Sequence, residues 1–133
     1  MGTIGGFADG ITLTLGPDRL TLPAGANFSA FTVGYETSSG VVVSNASAES
    51  TASRPLLFTP VAVNNGETVV WYKYGRFDTT GLTEGLQYLD PDNAGQFTST
   101  RPSDSGDIVR ICGHAPSSTV FEFDPDHSWV ELV

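Results

Sequence analysis

The stretch "FEFDPDHSWVEL" (121–132) packs Asp124, Asp126 and His127 into four positions, and "YLDPDNAG" (88–95) repeats the Asp-Pro-Asp step after an aromatic and a short apolar run. Carboxylates and an imidazole this close together are the groups that hold a hard cation, complete a zinc site or move protons in acid–base catalysis. Each chemistry makes a definite demand on spacing.

A calcium loop starting at Asp90 would read "DPDNAGQFTSTR", with Asp at its first and third positions and Gly95 at its sixth. Ala94 then stands at the fifth position, and Arg101 stands where a bidentate Glu is required. The second copy has no glycine, and Glu131 is its only later acid. Zinc needs four ligands, whereas the chain offers one thiol, Cys112, and two imidazoles, His114 and His127. Nucleophilic catalysis has no G-x-S-x-G elbow, and no pair of carboxylates is marked for glycoside hydrolysis. "GTIGGF" near the start has the glycines of a phosphate loop without its lysine. The expectation is therefore no catalytic residue, no metal, no cofactor and no enzyme. Each Asp-Pro-Asp is predicted to be a turn, because Asp accepts backbone hydrogen bonds and Pro presets φ.

These residues must be positioned by strands. "GITLTL" and "RLTL" alternate apolar with polar residues around the turn sequence "GPD". "NFSAFTVGYE" (27–36) reads as one strand, followed by "SSG" and "VVVS" as a hairpin. "NASAESTASRP" (45–55) lacks an apolar stripe and is expected to be a loop or one helical turn. "LLFTPVAV" and "TVVWYKYGRF" flank "NNGE", whose Asn65-Gly66 suits a tight hairpin, while Pro60 suggests an edge or a bulge. "GLQYL", "GQFTST", "DIVRICGH", "STVFEF" and "SWVEL" continue the series. About ten short strands with little or no helix predict an all-β domain, a small antiparallel β-barrel or β-sandwich.

At 133 residues the chain is expected to be a single β domain (1–133), with 1–10 as an N-terminal arm. Six basic against fifteen acidic residues give a net charge of -9, and the cations are dispersed along the sequence. That balance speaks against nucleic acid and against an anionic membrane surface. One cysteine permits no internal disulfide, and no leader is legible at the start, which suits synthesis in a reducing cytoplasm.

The aromatic residues are the remaining candidates. "WYKYGRF" carries Trp71, Tyr72, Tyr74 and Arg76, and Trp129 follows the second Asp-Pro-Asp. Trp, Tyr and Arg are the usual anchors of protein interfaces, so these five are the candidate interface residues.

Residues 75–132 resemble a module of tailed-bacteriophage structural proteins. The resemblance lies in "GL-x-x-G-x-x-Y-L" (Gly81, Leu82, Gly85, Tyr88, Leu89), in "T-x-T-x-P-S-x-S-G-D" (Thr98 to Asp107), and in an aromatic, a "D-P" turn and "W-V-E" (Phe123, Pro125, Trp129 to Glu131). It implies a β-rich virion protein. Within that family the short acidic chain is similar to capsid decoration (cement) proteins. These bind the outer surface of the head and bridge capsomers of the mature shell, commonly as homotrimers. The partners so implied are the major capsid protein and other copies of the chain. The alternative is a head-fibre or tail-associated component that binds receptor glycans.

Overall fold

The computed structural model describes residues 13–133, so the expected N-terminal arm lies outside the described residues. Strands β1 (Leu13–Thr14) and β2 (Arg19–Pro23) form the hairpin expected around "GPD". Strands β3 (Thr32–Thr37) and β4 (Gly40–Val43) form the second, with Gly40 at φ 114 in its turn. A single helical turn, α1 (Glu49–Ala52), leads to β5 (Leu56–Thr59) and then β6 (Thr68–Tyr72). These six strands make one antiparallel sheet in the order β1-β2-β6-β5-β3-β4. The sheet curls until Ala24, just past β2, forms an isolated parallel bridge with Val41 of β4.

The second half of the chain builds a second sheet. Strands β7 (Gly75–Asp78), β8 (Gly85–Leu89), β9 (Phe97–Thr98), β11 (Ile111–Ser117) and β12 (Val120–Phe123) lie in the order β7-β12-β11-β8-β9. The short strands β10 (Ile108–Val109) and β13 (Val130–Glu131) pair with each other. The protein is all-β, two large antiparallel sheets packed like a sandwich beside the small β10–β13 pair, with one large sheet curled but not closed as a barrel.

Two cores follow from the period of the strands. In β5 all four residues are buried, and successive side chains point to opposite faces. Leu57 therefore joins Leu22, Val41 and Trp71 inside the curl of the first sheet. Leu56 and Phe58 face the other way, into the core shared by both sheets. Phe58 is the hub there: its ring lies 4.9 Å from Phe31 and Phe77, 5.1 Å from Phe123 and 5.5 Å from Phe121.

Four expectations need correction. The strand expected over 27–36 begins only at Thr32, because Phe31 takes φ 59 and turns its ring into the aromatic core. The run "TVVWYKYGRF" is broken at Lys73-Tyr74, where the chain leaves the first sheet and enters the second. Consequently "NNGE" does not close a regular hairpin: β5 and β6 pair only at Phe58 and Tyr72, and β5 ends at Thr59, before Pro60. Last, 124–126 is not a turn. The Asp124 and Asp126 amides donate to the Cys112 and Ile111 carbonyls, so the segment runs on beside β11. Asp90 does behave as expected, its Oδ1 accepting the amides of Asp92 and Asn93 at 2.8 and 3.2 Å.

Candidate functional site

The chain from Asn45 to Pro55 is irregular, and side chains hold it in place. Thr51 Oγ1 donates to the Asn45 carbonyl at 2.8 Å and accepts from the Asn45 amide at 3.0 Å. The Ser53 amide closes α1 onto the Glu49 carbonyl at 3.0 Å, and Pro55 directs the chain into β5. The carbonyls left free at the end of this turn need donors.

Arg110 supplies them. It sits between β10 and β11, only 3 % exposed. Its Nη1 donates to the carbonyls of Ala52 at 2.8 Å and Arg54 at 2.5 Å, and its Nε donates to the Asp126 carbonyl at 3.0 Å. One guanidinium thus joins the helical turn, the start of β5 and the segment beside β11. Among the described residues no carboxylate oxygen lies within 4.0 Å of it, and Nη2 has no hydrogen-bond acceptor. Burial lowers its pKa below the ordinary arginine value, opposed by the influence of Cys112 and Asp126.

Arg110 lines a groove of about 960 Å³ at the seam of the two sheets. Its lining includes the buried Leu20, Leu56 and Leu57, and Pro55, Tyr74 and Pro125, which are more exposed, add apolar surface. The exposed Arg54, Lys73, Tyr74 and His127 stand around it, facing Glu36 and Asp124. The Arg54 guanidinium lies 5.1 Å over the ring of Tyr35, the Arg54 carbonyl is held by Arg110, and the Lys73 amide donates to the Asp18 carbonyl at 2.7 Å. Three of the six Lys and Arg residues of the chain, Arg54, Lys73 and Arg110, meet here. The cations are dispersed in the sequence and gathered by the fold.

A smaller cleft of about 320 Å³ is lined by Asp90, Asp92, Asp104, Asp107 and Arg101. Among the described residues no group of three or more His, Cys, Asp or Glu side chains is placed to hold a metal ion. Cys112 is fully buried, and burial pushes its thiol up to about 12, so it is a packing residue at neutral pH.

The outer face of the second sheet carries a different feature. Arg76, Glu122, His114 and Leu86 are successive cross-strand neighbours on β7, β12, β11 and β8. Arg76 Nη1 meets Glu122 Oε2 at 2.6 Å, and His114 Nδ1 lies 4.0 Å from Glu122 Oε1.

The five interface candidates are not brought together. Trp71 is wholly buried inside the curl of the first sheet, its Nε1 donating to the Leu22 carbonyl at 3.0 Å, so it is a core residue and leaves the list of anchors. Tyr72 points into the shared core, with its ring 4.9 Å from that of Phe77. Trp129 is half-buried against the same core. Tyr74, 44 % exposed, stands at the groove, and Arg76 lies on the outer face of the second sheet.

Sequence reasoning missed Arg54, Lys73, Arg110 and His127 as a set. One signal was present: in "DIVRICGH" an arginine is embedded in an apolar strand, and buried arginine needs several acceptors. Comparison of the chain with protein-family models, curated proteins and solved structures finds no match.

Proposed function

We propose that the chain is a binding protein of a tailed-phage virion, a capsid decoration protein that attaches to the outer surface of the head and stabilises the mature shell by bridging capsomers. The observation that carries a binding role is the groove at the seam of the sheets. It combines apolar lining, the exposed cations Arg54 and Lys73, and a buried guanidinium with one nitrogen that has no acceptor among the described residues. That is a recognition surface, with orienting polar groups set into an apolar cleft. The placement in a virion rests on the resemblance of residues 75–132, and the segment that carries it begins where the second sheet begins, at Gly75.

In this reading the partners are the major capsid protein and other copies of the chain, as a homotrimer. The protein is made in the bacterial cytoplasm and works on the capsid surface. Repeated weak attachments suffice, because a trimer that engages equivalent sites gains effective concentration from each contact already made. No catalysis, cofactor or nucleic acid enters.

The test is co-sedimentation of the purified protein with expanded and with precursor shells, together with sedimentation equilibrium of the protein alone. Binding to expanded shells only, by a trimer, is the expected result. A monomer that ignores both kinds of shell would remove the proposal.

The exposed ring of Tyr74, beside Pro125 and His127 in the groove, favours one second reading, a fibre or tail component that binds receptor glycans. Sugars stack on such rings. A glycan array that reports binding lost on Tyr74→Ala, with no affinity for shells, is the outcome that would select it.

A further inference from the structure

The groove has a charge that the rest of the molecule lacks. The chain carries -9 overall, yet Arg54, Lys73 and Arg110 line one groove with Glu36 and Asp124, while Asp126 acts on Arg110 from outside the lining. Arg110 adds a second and independent sign. A guanidinium that is 3 % exposed, with no carboxylate oxygen within 4.0 Å among the described residues, bears the cost of desolvation, offset by three carbonyl dipoles and by the more distant charge of Asp126. Its Nε and Nη1 are fixed by three backbone acceptors, which leaves Nη2 with a set orientation and no acceptor among the described residues. The two N–H groups of Nη2 remain, enough for a carboxylate to meet that one nitrogen.

The lining narrows the ligand. A single small anion needs no apolar wall, whereas Pro55, Tyr74 and Pro125 present apolar surface in the groove. An acidic sugar chain would meet one exposed ring, Tyr74, and otherwise aliphatic carbon. At about 960 Å³ the groove has room for several residues of a peptide. From these features we infer that the groove takes an acidic peptide segment in which carboxylates alternate with aliphatic side chains. One carboxylate pairs with Arg110, others meet Arg54 and Lys73, and the aliphatic groups rest against Pro55, Tyr74 and Pro125. An extended segment presents that alternation naturally, because its side chains point to opposite sides. This rests on the reading of the chain as a binding protein, and not on its place in a virion.

The test uses a short fluorescein-labelled peptide of alternating Glu and Leu, read by fluorescence polarisation against the full-length protein. Three controls are run beside it: the same peptide with Gln for Glu, an unlabelled oligogalacturonate as competitor, and the variant R54E/K73E. The variant changes two exposed side chains, and its fold is checked by circular dichroism. Saturable binding is expected, weaker by about tenfold or more with the Gln peptide and with the variant, and weakened by salt. The Arg110 Nε–Hε resonance should shift on titration with the Glu peptide and not with the Gln peptide. Equal binding of both peptides, an unmoved Arg110 resonance, or tighter binding of the oligogalacturonate would overturn the inference. Shell binding in the absence of peptide binding sinks this inference and leaves the decoration reading standing. Peptide binding without shell binding does the reverse.

Discussion

Arg110 donates from Nη1 to the backbone carbonyl of Arg54, 2.5 Å away, while the side chain of Arg54 lies over the ring of Tyr35. A buried arginine thereby fixes the stretch of backbone from which an exposed arginine reaches the groove. Recognition and stability share a residue at this point, and the variants that separate them follow from that sharing.

Replacing Arg110 by Met keeps most of the apolar stem and leaves the carbonyls of Ala52, Arg54 and Asp126 without their donor. Each orphaned buried group costs about 1–3 kcal/mol. Allowing for relaxation and solvent entry, the expected loss is about 2–4 kcal/mol, read from urea unfolding curves. Arg110→Lys should recover only part of it, because an ammonium cannot span three separated acceptors in one plane. A loss within experimental error for Arg110→Met would show that the three bonds contribute nothing net.

The Cys112 thiol is pushed from its ordinary value of 9.0 up to about 12 by burial. Below pH 9 the thiol is protonated in both states and contributes no pH dependence. Between about 9 and 12 the unfolded chain ionises while the folded one does not, so stability falls by up to about 1.4 kcal/mol per pH unit. Comparison with Cys112→Ala, which lacks this slope, separates it from the titration of Tyr and Lys. At pH 8 a thiol reagent should label the native protein only as fast as the structure opens. Rapid labelling under native conditions would contradict the buried placement.

Phe58 touches aromatic rings from both halves of the chain. Phe58→Ala should cost about 3–5 kcal/mol, enough to consume much of the stability of a domain this size. Phe58→Leu, which leaves less empty space, should cost clearly less. Thermal unfolding monitored separately by tryptophan fluorescence and far-ultraviolet circular dichroism should give one coincident transition in each case, since Phe58 lies in the core that both sheets share.

The Arg76–Glu122 pair is short, at 2.6 Å, but its side chains are 62 % and 43 % exposed. A double-mutant cycle with Arg76→Ala and Glu122→Ala should therefore give a coupling under about 1 kcal/mol, falling further in salt. A larger, salt-insensitive coupling would mean that the outer face is covered in solution.

The β3–β4 hairpin, the single turn of helix and the strand "GLQYL" were legible because their signals are local: "SSG" before Val41, a polar run closed by Pro55, and a glycine that opens an alternating pattern. The break at Lys73-Tyr74 was not legible, because the alternation of "WYKYGRF" continues straight through it. The two Asp-Pro-Asp steps make the limit plain. Asp90 caps a turn with its own carboxylate, whereas 124–126 finds open backbone on β11 and pairs with it. Identical tripeptides diverge according to what lies beside them. The groove was hidden for the same reason, since residues 54, 73 and 110 become neighbours only once both sheets are in place.

The crossing at Lys73-Tyr74 has a genetic consequence. All strands of the first sheet precede it and all strands of the second follow it, so one recombination junction transfers a whole sheet. Such an exchange carries the outer face and the Arg110 fork, but not Phe58, Ala52 or Arg54, which the recipient must already have in matching positions. Exchange at this junction is thus open between chains that share the aromatic hub and the helical turn before β5, and closed to others by packing alone.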